Sequence, residues 1–88
     1  MAIDRTDLWV SVIMEVLEGC TKGQRTVYLF KKGITENGDV RPALTYPQIA
    51  SLADISKQAA RSRYLEASNK VDRALFLAAL TELQMLEA

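Results

Sequence analysis

The stretch LTYPQIASLADISKQAARSRYL, from Leu44 to Leu65, decides the reading of this chain. Thr45 stands three residues before Gln48, the spacing of a capping box, so a helix is predicted to start there. Leu44 and Ile49 occupy the places of a hydrophobic staple. Pro47 is tolerated in the first turn, where backbone N–H groups have no helical partner. Ile49, Leu52 and Ala53 are expected to face inward. Asp54 falls at a turn, and Asp is among the few non-glycine residues that accept left-handed backbone. Ile55 then plugs the core, and Ser56 caps a second helix from Lys57 to about Ala67. Ala60, Tyr64 and Ala67 mark its core side, and Lys57, Gln58, Arg61 and Ser62 lie mostly opposite.

The rest of the chain bounds what this unit can belong to. Its 88 residues make one small domain with a limited core, which pairing with a second copy would help. A composition 49% hydrophobic with 4 Gly and 2 Pro points to a folded, mainly helical protein. With one cysteine and no histidine, one chain builds neither a disulfide nor a zinc site, and no cofactor is expected. The apolar runs are short, so no membrane span or signal peptide is expected and the chain reads as cytoplasmic. A formal net charge of zero conceals segregation. Residues 22–73 hold ten bases against five acids, so the middle is basic and the ends are acidic. Phosphate binding depends on that local field rather than on the total.

Residues 4–19 predict an amphipathic helix with Trp9, Val12, Ile13, Val16, Leu17 and then Cys20 on one stripe. Asp4 is its expected N-cap, with Ile3 and Leu8 as a staple, and Gly19 ends or weakens it. Trp9 is read as core and Cys20 as a small apolar filler. Thr21 and Gln24 form a second capping-box spacing, predicting a helix to about Lys32 that buries Val27, Tyr28 and Phe30 and stops at Gly33. A strand competes here, because Thr26 to Phe30 is rich in β-formers and Asn37-Gly38 is a hairpin signal. The helix is preferred because cap and terminator bracket it. Otherwise residues 26–42 form a β-hairpin wing.

Ser68-Asn69 is expected to break the chain before a last helix from about 70 to 87, although a continuous helix also fits. Leu75 to Leu80 is an unbroken apolar run, followed by Leu83, Met85 and Leu86. A helix apolar on several faces needs more than its own domain to cover it. The sequence therefore predicts an all-α bundle of about five helices. It contains a helix-turn-helix at about 45–67 and a C-terminal dimerisation helix using Leu75, Phe76, Ala79, Leu80, Leu83 and Leu86.

Leu44, Thr45, Tyr46, Ile49, Ala50, Ile55, Ser56, Ala60, Arg61, Ser62 and Arg63 together resemble the DNA-binding C-terminal domain of sigma factors. The chain departs from that pattern at Asp54, where glycine is usual, and at Ala60, where a branched residue is usual. No accompanying promoter-melting domain is expected. Gly23-Gln24-Arg25-Thr26-Val27, a gap, the helix-turn-helix and a C-terminal segment are similar in order to small plasmid repressors of the KorA/TrfB type. That resemblance implies a homodimer on a palindromic operator.

The functional expectation is thus double-stranded DNA read by a cytoplasmic homodimer. Lys57 or Arg61 suits guanine O6 and N7, Gln58 suits adenine, and Ser62 completes the base-reading set. Thr45, Tyr46 and Ser56 would position phosphates, with Lys70 and Arg73 extending the contact and Lys31 and Lys32 as further candidates. Arg63 is expected to pack or pair within the fold. Half-sites are expected about one helical turn apart. Two other classes fit the same unit. One is a phage small-terminase-like or plasmid-partition adaptor, the other a protein-interaction module that contacts RNA polymerase. Without His or a second Cys, no catalytic residues are assigned and an enzyme is not expected.

Overall fold

The computed structural model describes residues 5–87, with side chains from Trp9 to Leu86. Four helices follow one another: α1 (Arg5–Glu18), α2 (Lys22–Lys32), α3 (Tyr46–Ala53) and α4 (Lys57–Glu87). The described residues are helical with no strand, and every other helix packs against α4. The proposed cap Asp4 and its staple partners Ile3 and Leu8 lie outside the described side chains.

Local signals set where the elements begin and end. Thr21 accepts from the Gln24 N–H at 3.1 Å while Gln24 Oε1 accepts from the Thr21 N–H at 3.2 Å, so two otherwise orphaned donors at the start of α2 are satisfied. Gly33 ends α2 in left-handed backbone, with φ 74°, and returns its N–H to the Leu29 carbonyl. A Cβ at Gly33 would collide with the Arg41 carbonyl, so glycine is required for steric reasons as well. Thr45 and Gln48 repeat the capping box at α3. Asp54 then takes φ 53° and ψ 48°, the one non-glycine residue with positive φ among those described.

The hairpin alternative reduces to one isolated antiparallel bridge between Ile34 and Val40, with Thr35 and Asp39 closing the Asn37-Gly38 turn. The capping box and Gly33 commit Thr26 to Phe30 to helix, which leaves too few residues for a ribbon. Val40 is 91% exposed, and only Ile34 of the bridged pair packs against the core.

Two small clusters form the core. Leu17 of α1, Tyr28 and Leu29 of α2, and Ala67 and Val71 of α4 make the first. Val27, Ile49 and Ala60 make the second, beneath α3. Tyr64 packs against both and joins them. Cys20 fits its reading as an apolar filler at the edge of the first cluster, with its thiol directed at the Val16 carbonyl.

Four expectations are corrected. There are four helices, not five, because Ser68-Asn69 does not interrupt α4. Neither residue is a strong helix breaker, each costing about 0.5 kcal/mol against alanine. Ala67 and Val71, fully buried on either side of the pair, hold the helix through it. Leu52 is 66% exposed rather than inward. The inner side of α3 carries Tyr46, Ile49, Ala50 and Ala53, and Leu52 sits roughly 110° from that direction at 100° per residue. Trp9 is half-buried at the far end of α1, outside both clusters. Leu75, expected at a dimer interface, packs instead against the first cluster of its own chain.

The 31 residues of α4 span about 46 Å, close to the 49 Å longest dimension of the molecule. One rod therefore runs from the α3 turn to the far end of the fold. No described helix is long and apolar enough to cross a membrane.

Candidate nucleic-acid interface

The turn between α3 and α4 is held from both sides. The Asp54 cap geometry and the Ile55 N–H bond to the Ala50 carbonyl, at 3.1 Å, close α3. Ser56 Oγ accepts from the Ala59 N–H at 3.0 Å and opens α4. Ile55 packs on the second cluster and pins the connection. The side chains of Lys57, Gln58, Arg61 and Ser62 then project from the first turns of α4, all exposed and none in a hydrogen bond or ion pair among the described residues.

An open depression of about 570 Å³ lies at this end, lined by Tyr46, Ser56, Lys57, Gln58 and Arg61. The structure thus brings two expected phosphate contacts and three expected base contacts to one surface. Their availability differs. The Thr45 hydroxyl is occupied by the capping box, accepting from the Gln48 N–H and donating to Gln48 Oε1. Pro47 has no N–H, so Tyr46 supplies the backbone donor left at the start of α3. At the start of α4, Ala59 and Ala60 donate to Ser56, which leaves the Lys57 and Gln58 N–H groups directed outward. Helix N-termini with such donors attract anions.

Behind Tyr46 runs an aromatic ladder. Tyr46 meets Tyr64 edge-on with ring centroids 6.0 Å apart, and Tyr64 stacks on Tyr28. Lys31 Nζ lies 4.7 Å from the centroid of Tyr46, and Lys32 Nζ lies 6.0 Å from that of Tyr64. Each ring attracts its cation through the negative face of its π system. The last turn of α2 is therefore tied to the first turn of α3. Sequence reasoning offered Lys31 and Lys32 only as loose candidates. Their places beside Tyr46 and Tyr64 depend on a helix crossing that no local spacing encodes.

Other expected residues lie elsewhere. Lys70 and Arg73 are exposed but stand 9 and 12 residues beyond Arg61, about 13–18 Å along the α4 axis. Arg63 packs within the fold, its guanidinium lying against Gly23, where an added Cβ would stand 3.3 Å from Nη1. Beside it Gln24 Nε2 donates to Glu66 Oε2, a second tie between α2 and α4. At the distal end, Phe76, Leu80, Leu83 and Leu86 are exposed, while Ala79 is half-buried in a shallow groove beside Trp9.

No family model, curated protein or solved structure matches this chain.

Proposed function

We propose that this protein is a sequence-specific DNA-binding transcriptional regulator, a homodimeric repressor that reads a palindromic operator through the major groove. In this reading α3 and the start of α4 act as a helix-turn-helix, as the resemblance to sigma-factor and KorA/TrfB-type repressor sequences implies. One observation carries it: Lys57, Gln58 and Arg61, whose side chains have no partner among the described residues, share an outward surface with two helix N-termini. Arg and Lys pair with guanine O6 and N7, Gln pairs with adenine, and the N–H groups take phosphate.

The experiment is selection of bound sequences from a random duplex pool at physiological salt, followed by titration of Arg61→Ala against the selected and scrambled duplexes. Loss of about 1–3 kcal/mol on the selected duplex alone supports base reading by Arg61. Equal losses on both reject it. A second reading, a protein-interaction module that contacts RNA polymerase, is favoured by the exposed Leu52 on the outside of α3. Absence of salt-sensitive DNA binding would select that reading.

A further inference from the structure

With Lys57 as origin and about 100° per residue, α4 places Arg61 at about 40°, Leu65 at about 80°, Gln58 at about 100° and Ser62 at about 140°. Leu65 therefore stands among the side chains assigned to base reading, one turn beyond Arg61 and about 12 Å along the axis from Lys57. It is 45% exposed and packs in neither core cluster. The fully buried Ala60, Ala67 and Val71 fall at about 280–320°, on the other side of the helix.

The sector from about 40° to 140° continues past Leu65 to Asn69, which is also exposed, and meets its first carboxylate at Asp72. Glu66 lies outside it, near 180°, and accepts from Gln24. Because Ser68-Asn69 does not interrupt α4, an acid-free strip about 18 Å long runs along one rod from Lys57 to Asn69. Leu65 is the apolar residue set into that polar strip.

We infer that Leu65 is a specificity residue that covers the C5-methyl group of a thymine in the operator half-site. The inference rests on the DNA reading proposed above and adds an apolar reader to its polar set.

Base edges in the major groove present hydrogen-bond donors and acceptors, and thymine adds a methyl group. Pressed on any other edge, a leucine desolvates polar atoms and returns no hydrogen bond to them. Pressed on thymine, it covers the methyl group and gains apolar burial. Ser62, three residues before Leu65, has a short side chain, so the rod can approach the groove floor closely enough for a leucine to reach. Arg61 and Leu65 are about 6 Å apart along the axis, which places the thymine within about two base pairs of the pair that Arg61 contacts.

The test starts from the duplex selected by the full chain. Each thymine is replaced in turn by deoxyuridine, which removes only the methyl group. Wild type, Leu65→Ala and Leu65→Met are titrated on every duplex, with circular dichroism to confirm helicity. At one thymine near the pair sensed by Arg61→Ala, wild type should weaken about fourfold, the worth of one buried methyl group. Leu65→Ala should bind the thymine duplex at least about fourfold more weakly and no longer distinguish it from the deoxyuridine duplex. Leu65→Met, which keeps an apolar side chain, should retain the difference.

Indifference of the wild type to every replacement overturns the methyl contact. Retention of the full wild-type loss by Leu65→Ala also overturns it, because another group then covers the methyl. In both cases DNA is still bound and the reading proposed above stands. Absence of any salt-sensitive DNA binding overturns that reading and this inference together.

Discussion

The ring of Tyr64 stacks on that of Tyr28 with centroids 5.6 Å apart and planes 18° from parallel. This contact joins α4 to α2, and Tyr64 touches both core clusters from the same position. In a fold whose clusters each hold only a few fully buried residues, one ring that bridges them is a keystone.

Tyr64→Ala should therefore destabilise the protein by about 3 kcal/mol, the lower end of what losing a core aromatic costs. Tyr64→Phe keeps the ring and should cost less than about 1 kcal/mol. Urea denaturation followed by circular dichroism measures both. Equal losses in the two variants would mean that the hydroxyl, not the stacked ring, matters.

Burial, with smaller contributions from Tyr64 and Asp72, pushes the Tyr28 hydroxyl up to about 12 from its ordinary 10. The folded state therefore holds this proton more tightly than the unfolded chain does. Stability from Tyr28 is fully present below pH 10 and is lost as the pH rises from 10 through 12, by about 2–3 kcal/mol in all. Denaturation midpoints between pH 9 and 12 should fall in the wild type, and Tyr28→Phe should flatten that part of the decline.

Gly33→Ala puts a side chain into left-handed backbone and against the Arg41 carbonyl. A loss of about 2 kcal/mol or more is expected, since the conformational cost alone is about 1–2 kcal/mol and the contact is with backbone that cannot swing aside. A thermal melt shows it. Little change would mean that the loop from Ile34 to Thr45 moves to accommodate the methyl group.

Lys31→Gln removes the cation beside Tyr46 while keeping a polar side chain one atom shorter. If Lys31 meets a phosphate, binding should weaken about equally on selected and scrambled duplexes, and the salt slope should fall by about 1. Titrations at several salt concentrations separate this from Arg61→Ala. A discriminating loss would make Lys31 a base reader.

Much of the secondary structure was legible locally. The starts of α2, α3 and α4 and the stops at Gly33 and Asp54 stood in the sequence as Thr21-Gln24, Thr45-Gln48, Ser56 and two residues suited to left-handed backbone. The exposed set Lys57, Gln58, Arg61 and Ser62 was legible too, because Gln58 and Ser62 oppose Ala60 and Ala67 on the helix and Lys57 and Arg61 fall beside them, off the core side. Lys31 was only partly legible, since its place beside Tyr46 depends on how α2 meets α3.

By itself the sequence determined where α2, α3 and α4 begin and where α2 and α3 end, because a cap is made by side chains and N–H groups within three or four residues of each other. Only the tertiary structure decided which apolar side chains count as core. Leu52 and Leu29 are alike as residues, yet Leu52 lies open on α3 while Leu29 is almost fully buried. Leu75 turns to its own core and Phe76, its neighbour, does not. Ser68-Asn69 stays helical because Ala67 and Val71 are buried by α1 and α2. Burial depends on where a neighbouring helix lies, and that arrangement is a property of the whole chain.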